Sequence, residues 1–185
     1  MTNPTRGWQA FALIAASWPS AVWAAASHVA LPGGGELWLD IPAGWDEKFD
    51  SPQKGMAPGV WLTPRQGASF NILITPLAGT PMGEAVADDV RMRAIVASAA
   101  RDALSHAVET TIPVQSLSGP HAHIVYLFAT DRAPAPGEWK YLTQGMVSID
   151  GVPFAFTILT NDGQEAVSKG ALELIRNASY HRASG

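Results

Sequence analysis

The sequence predicts an α+β fold, in which a twisted antiparallel sheet of about six to seven strands is flanked by two main helices. Three observations predict this fold. Most of the chain alternates apolar and polar residues with a period of two, as strands do. Two segments repeat apolar residues at the helical period of about 3.6 residues. The length of 185 residues is typical of a single domain.

Composition excludes several classes of function. Because the chain contains no cysteine, it cannot form an internal disulfide, a cysteine-ligated metal site or a thiol nucleophile. The formal net charge is -4, from 12 Lys and Arg against 16 Asp and Glu. No overall positive field would attract nucleic acid. We therefore expect no nucleic-acid partner.

Residues 1–26 have the three parts of a secretory signal peptide. Arg6 supplies the cation, and an apolar run of about ten to fifteen residues follows it. Ala24 and Ala26 then place small residues at the positions that a signal peptidase reads. Pro19 interrupts the apolar run before it reaches the roughly 20 residues of a spanning helix. These features predict cleavage after Ala26.

Cleavage would leave residues 27–185 as one exported domain. The predicted cleavage site has no cysteine to carry a lipid, and no later segment is apolar over the roughly 20 residues that span a bilayer. We therefore expect a mature chain without a transmembrane helix or lipid anchor. The expected location is the bacterial periplasm, where the protein would be soluble.

The first half of this domain is predicted to be mainly strand. Alternation predicts strands at 36–41, 60–63 and 69–77. The segment 46–58 is polar and contains two prolines, so it is predicted to be a loop.

A long helix is predicted over 84–106. Acidic residues occupy its first turns, as the positive end of the helix dipole favours. One apolar row follows the helical spacing: Met92, Val96, Ala99 and Ala103. Arg93 falls beside the apolar residues, where a partner-facing role or a buried ion pair would explain it.

The second half returns to a period of two. Strands are predicted at 110–117, 121–130, 139–149 and 152–160, and a final helix is predicted at 164–179. Pro113 places the first of these strands near a sheet edge, because proline cannot donate to the ladder. Asp150-Gly151 stands between two alternating runs and predicts a tight β-hairpin.

The order of elements resembles that of PsbP-like and DcrB-like proteins. The similar motifs are Leu-Trp-Leu-Asp-Ile-Pro-Ala-Gly-Trp at 37–45, Phe-Asn-Ile-Leu-Ile at 70–74 and Ser-Gly-Pro at 118–120. The similarity covers about residues 31–180 and implies an α/β/α sandwich. It also implies an accessory or binding role, docking to another envelope protein, and it carries over no functional residue. The chain departs from DcrB lipoproteins in lacking the lipidated cysteine.

No catalytic signature is present in the sequence. It contains no Gly-x-Ser-x-Gly elbow, no His-Glu-x-x-His and no glycine-rich phosphate loop, which are motifs of common enzyme classes. We therefore expect a non-enzymatic protein that uses no cofactor.

His121 and His123 are the candidate metal ligands. Residues i and i+2 of a strand lie on one face about 6.5–7 Å apart, near enough for two imidazoles to share a metal ion. A third ligand would have to come from elsewhere, with His106, Asp131 and Glu138 as candidates. In the alternative interpretation both histidines face water at a sheet edge. The metal hypothesis makes the protein a metal- or small-molecule-binding protein of the periplasm.

Aromatic residues are the other candidates for binding. The set that could line a pocket for an apolar or aromatic ligand, or form a partner surface, is Trp38, Trp45, Trp61, Trp139, Tyr126 and Tyr141. The alternative is that these rings pack in the core or against a helix.

Overall fold

The computed structural model describes residues 26–31, 34–50, 58–78, 80, 83 and 88–182. The predicted signal peptide falls almost wholly outside the described residues, so its cleavage stays a prediction. The extent of the first helix before residue 88 also lies largely outside them.

The described part of the chain forms ten strands and two helices. The strands are β1 Ser27–Ala30, β2 Glu36–Leu39, β3 Trp45–Asp50, β4 Gly59–Pro64, β5 Asn71–Pro76, β6 Gln115–Ser118, β7 Ala122–Thr130, β8 Tyr141–Ile149, β9 Val152–Thr160 and β10 Ser179–His181. The helices are α1 Asp89–Ala103 and α2 Glu165–Asn177. Within the described residues, no helix is long and apolar enough to cross a membrane.

Seven strands form one antiparallel sheet in the order β3-β4-β5-β9-β8-β7-β6. This arrangement confirms the predicted α+β fold with an antiparallel sheet and two helices. Strands β8 and β9 form the predicted hairpin, and Asp150 and Gly151 take the positive φ angles of 48° and 80° that a tight hairpin turn requires. Strand β6 lies at an edge, as predicted, but it begins at Gln115, so residues 110–114 with Pro113 precede the strand and the prediction of strand over them is wrong.

A second sheet has three strands in the order β1-β2-β10. The sequence did not predict it, because β1 has 4 residues and β10 has 3. A strand of that length gives too few positions for alternation to be recognised.

The prediction of a loop at 46–58 is wrong over its first residues. Trp45–Asp50 forms β3, which pairs with β4 along its whole length. Its charged residues Asp46, Glu47 and Lys48 are exposed, as the edge position of β3 allows. Backbone hydrogen bonds, which no polarity pattern reports, hold it in the sheet.

The two helices lie on opposite faces of the large sheet. One core joins residues such as Ile124, Phe154 and Phe156 to α2 and to the second sheet. The other core joins residues such as Val125 and Leu127 to α1. Because Ile124 and Val125 are neighbours in one strand, their side chains point to opposite faces. The sheet is therefore covered from both sides.

Helix α1 begins with a side-chain cap. The Asp88 carboxylate accepts a hydrogen bond from the N–H of Arg91 at 2.8 Å, which satisfies one of the free donors of the first turn. Met92 and Val96 of the predicted apolar row are buried, together with Ala100. Ala99 and Ala103 are only half-buried against the same core, so the helix face is rotated slightly from the prediction.

Candidate functional site

A pocket of about 470 Å³ lies where α1 ends, beside the last residues of β7 and the loop that enters β8. This volume is in the range of pockets that hold small molecules, roughly 300–1,000 Å³. Its apolar walls are Ala103, Ala107, Ala129, Trp139, Leu142 and Leu159. Its polar lining is His106, Thr130, Asp131, Glu138 and Lys140.

Backbone hydrogen bonds fix the wall between α1 and β7. The N–H of Ala107 donates to the carbonyl of Ala103 at 3.0 Å, and the N–H of Val108 donates to the carbonyl of Thr130 at 2.8 Å. Ala107 also bridges to Asp131 as an antiparallel pair. Alanine on both sides of this contact leaves the space that larger side chains would fill.

The loop before β8 places Trp139 at the pocket wall. Glu138 closes the loop twice, since its N–H donates to the carbonyl of Ala135 at 2.9 Å and its carboxylate accepts from the N–H of Ala135 at 3.2 Å. Gly137 has a φ of 88°, which glycine adopts without steric cost. The N–H of Asp131 then donates to the carbonyl of Lys140 at 2.7 Å, where β8 begins.

Lys140 forms an ion pair with Asp162. Its ammonium lies 2.8 and 2.9 Å from the two carboxylate oxygens of Asp162. This hydrogen bond raises the pKa of Lys140 and lowers the pKa of Asp162. The Tyr141 hydroxyl also donates to Asp162, at 2.7 Å. Much of the Lys140 charge is therefore balanced within its own ion pair.

Glu109 supports the pocket from outside through Thr130. Its two carboxylate oxygens accept from the N–H of Thr130 at 2.9 Å and from the Thr130 hydroxyl at 2.7 Å. Burial would raise the pKa of Glu109, but the two donors of Thr130 outweigh burial and lower it. Glu109 is therefore an ionised acceptor that holds the end of β7.

The two histidines of the metal hypothesis bond to different carboxylates. His121 Nδ1 lies 3.0 Å from Asp150 Oδ1, whereas His123 Nε2 lies 2.6 Å from Asp89 Oδ1. His121 also lies just before β7 rather than within it. In the described parts of the chain, no group of three or more His, Cys, Asp or Glu side chains could hold a metal ion.

The proposed third ligands lie at the other end of β7. His106, Asp131 and Glu138 line the pocket, next to the last residue of β7. His123 is the second residue of the same strand. The three proposed third ligands therefore lie around one cavity. His121 and His123, with which they would have shared a metal ion, lie at the opposite end of β7.

His123 is the centre of a hydrogen-bonded chain that includes Arg93. Asp89 accepts from Arg93 Nε at 2.7 Å through its other oxygen, and Ser118 Oγ lies 3.2 Å from His123 Nδ1. The bonds from Arg93 and His123 lower the pKa of Asp89. Arg93 thus joins an exposed ion pair, and neither a partner nor a buried pair is needed to explain its position.

The order hydroxyl–imidazole–carboxylate is also that of a serine hydrolase. Ser118 is exposed, and the side chains of His123 and Asp89 are 36% and 45% exposed. Ser118 does not line the pocket at the end of α1. We therefore interpret the three residues as a surface link between the start of α1 and the β6–β7 edge.

The four tryptophans occupy four different environments. Trp38, on the second sheet, stacks on His28 with ring centroids 3.9 Å apart, and it contacts the ring of His181 at a tilt of 32° with centroids 4.2 Å apart. Trp45 packs on Phe70, with centroids 4.9 Å apart.

Trp61 is half-buried in β4, between its strand partners Lys48 and Leu73. Of the four tryptophans, Trp139 is the one that lines the pocket at the end of α1. The aromatic set predicted from sequence therefore does not form a single surface.

The chain matches no protein-family model, no curated protein and no solved structure. The PsbP-like and DcrB-like resemblance therefore stays a prediction, and the arrangement of the residues themselves is the basis for interpreting the site.

Proposed function

We propose that this protein is an exported, non-enzymatic binding protein and that the pocket at the end of α1 holds its ligand. The observation that carries this proposal is the pocket itself, about 470 Å³ with an indole and aliphatic side chains in its walls. Apolar walls with a few polar groups at the rim are typical of small-molecule sites. The signal-like residues 1–26 support the periplasm as the place of action.

The bonding of the polar lining supports binding rather than catalysis. Thr130 is bonded to Glu109, Lys140 to Asp162, and Asp131 to the N–H of Ala133 at 2.8 Å. Each of these bonds shapes the wall of the pocket. The Glu109 carboxylate next to the Thr130 hydroxyl also accepts from the Thr130 N–H, so in this proposal it anchors the end of β7. The resemblance to PsbP-like and DcrB-like proteins supports an accessory role beside another envelope protein.

A neutral fluorescent probe tests whether the pocket binds apolar molecules. We expect N-phenyl-1-naphthylamine to bind the purified protein, and Trp139→Ala to weaken that binding by about fivefold or more. Ala103→Leu should also weaken it, because a larger side chain at this half-buried helical position fills the pocket. Circular dichroism would confirm that both variants are folded.

Trp61→Ala is the matched control, because Trp61 is a half-buried tryptophan of β4 that does not line this pocket. Its affinity for the probe should equal that of the unaltered protein. The proposal fails if the probe does not bind, or if Trp139→Ala and Ala103→Leu bind it as tightly as the unaltered protein does.

Export is tested separately by fractionation. Expression of the full chain in a Gram-negative host should yield a periplasmic protein whose mass corresponds to residues 27–185. A variant that keeps Arg6 but has a shortened apolar run should no longer be processed. Recovery of the uncleaved chain in the cytosol would contradict export without affecting the pocket.

A further inference from the structure

We infer that the pocket selects a small organic cation, an amine or quaternary ammonium group carried on an apolar body. This inference rests on the proposed function and adds the chemical class of the ligand. It is argued from the charges and the aromatic wall of the pocket.

Two carboxylates line the pocket, Asp131 and Glu138, against one lining ammonium, Lys140. Asp131 uses one oxygen to accept from the N–H of Ala133 at 2.8 Å. Glu138 uses one oxygen to accept from the N–H of Ala135 at 3.2 Å. These bonds hold both side chains in place, and each leaves a second carboxylate oxygen for a ligand.

The two cations near the pocket each have a partner in the protein. The Lys140 ammonium contacts both oxygens of Asp162, at 2.8 and 2.9 Å. The Arg132 guanidinium donates to the carbonyl of Ala107, a residue of the pocket wall, at 2.6 Å, but Arg132 does not itself line the pocket. The C-terminal end of α1 adds the negative end of a helix dipole, because Ala103 is both the last residue of α1 and part of the pocket wall. His106 completes the rim.

The aromatic wall favours the same ligand. The face of an indole attracts a cation that is held against it, more strongly than a phenyl ring does. Trp139 lines the pocket between Glu138 and Lys140 in the chain. Leu142 and Leu159 provide the apolar contact for the body of the ligand. An anion of the same shape would face two carboxylates, and Lys140, the one lining residue with a fixed positive charge, is already paired with Asp162.

Three probes with the same six-carbon chain test the inference: hexyltrimethylammonium, 1-hexanol and hexanesulfonate. By isothermal titration of the full protein at low salt, we expect the ammonium to bind at least about tenfold more tightly than the alcohol. The sulfonate should bind most weakly. Of the three probes, only hexyltrimethylammonium should bind more weakly when salt is added, because its higher affinity is electrostatic in origin.

The double variant Asp131→Asn, Glu138→Gln removes the charge and keeps the acceptors that close the loop. It should weaken the binding of hexyltrimethylammonium by about fivefold or more and leave the affinity for 1-hexanol unchanged. Glu165→Gln, an exposed acidic residue at the start of α2, should change neither.

If the alcohol and the ammonium bind equally and Trp139→Ala weakens both, selectivity for cations is wrong and the binding pocket stands. If the sulfonate binds most tightly, the inference is also wrong. If none of the three probes binds and the neutral fluorescent probe does not bind either, both proposals are wrong.

Discussion

The Asp150 carboxylate accepts a hydrogen bond from the main-chain N–H of Tyr180 at 2.9 Å. Asp150 belongs to the β8–β9 turn of the large sheet, and Tyr180 belongs to β10 of the second sheet. The other carboxylate oxygen of Asp150 lies 3.0 Å from His121 Nδ1. One turn residue therefore closes a hairpin and joins the two sheets.

Replacing Asp150 separates these two roles. Asp150→Ala should lower the free energy of unfolding by about 1–3 kcal/mol, since it loses the hydrogen bonds and strains a backbone at positive φ. Asp150→Asn should cost less, because asparagine tolerates this conformation and keeps one acceptor. Urea unfolding at neutral pH measures both. Equal stability of the alanine variant and the unaltered protein would contradict the tether.

The same residue should make stability depend on acid. Burial would raise the pKa of Asp150, but hydrogen bonds from Tyr180 and His121 outweigh it and lower the pKa. A carboxylate whose pKa is lowered by folding stabilises the protein fully above its unfolded pKa of about 3.9. That stabilisation is lost as pH falls through the lower, folded pKa. Asp150→Asn should therefore flatten the stability profile below about pH 4.

Gly145 is required by the close packing of β7, β8 and β9. A Cβ at this position would lie 2.3 Å from the carbonyl oxygen of Val125 and 2.8 Å from the ring of Phe156. Because β-sheet backbone and a buried ring cannot move far, Gly145→Ala should cost roughly 1–3 kcal/mol or more. That corresponds to a decrease in Tm of roughly 3–10 °C, measured by thermal denaturation.

Gly44→Ala is the control for this prediction. A Cβ at Gly44 would have no heavy atom within 4 Å, so the Tm should change little. If Gly145→Ala and Gly44→Ala have the same Tm, the contact with Val125 does not restrict this position.

Gln164 joins the start of α2 to the segment before β5. Its amide donates to the carbonyls of Ala68 and Ser69 at 3.1 and 2.9 Å, and its carbonyl accepts from the N–H of Asn161 at 2.8 Å. Since Gln164 is 7% exposed, water cannot easily replace these bonds. Gln164→Ala should cost about 1–3 kcal/mol in urea unfolding.

Gln164→Glu is a sharper variant, because it retains the acceptor and loses the two donations. It should destabilise the protein as well, by placing a carboxylate against two carbonyls. Lys169→Ala, exposed on the same helix, is expected to be nearly neutral. Equal unfolding midpoints for all three variants would show that the link contributes nothing.

Asp89 should also contribute to acid sensitivity. The side-chain hydrogen bond from Arg93, followed by that from His123, lowers the pKa of Asp89. Its stabilisation is therefore present above the unfolded pKa of about 3.9 and is lost as pH falls through the folded pKa. Asp89→Asn should lower Tm at pH 7 and reduce the loss of Tm between about pH 5 and pH 3.

Asp102→Asn, an exposed substitution near the end of the same helix, is the matched control. Its Tm should follow the pH profile of the unaltered protein. Parallel profiles for Asp89→Asn and the unaltered protein would contradict a role for the hydrogen bonds of Asp89 with Arg93 and His123.

The candidate site was predictable only in fragments. His106, Asp131 and Glu138 were recognised as possible ligands and Trp139 as a possible pocket residue, each from its own chemistry. These residues line one cavity because α1 packs on β7 and because the loop before β8 passes close to the end of α1. Alanine at the end of α1 was the one sequence signal for the space itself, because small residues permit close approach and leave cavities where packing is incomplete.

The sequence by itself determined the elements whose cause is local. Alternation predicted the strands that border the cores, the helical spacing predicted α1 and α2, and Asp150-Gly151 predicted the hairpin through its backbone conformation.

Tertiary structure alone decided the polar edge strand β3, the short strand β10 and the pocket. Their causes are backbone hydrogen bonds and side-chain contacts between residues far apart in the chain. Gln164 and Ala68 are such a pair, 96 positions apart. A local pattern of polarity cannot predict such contacts. It indicates which residues are buried, but it does not identify the distant residues that bury them.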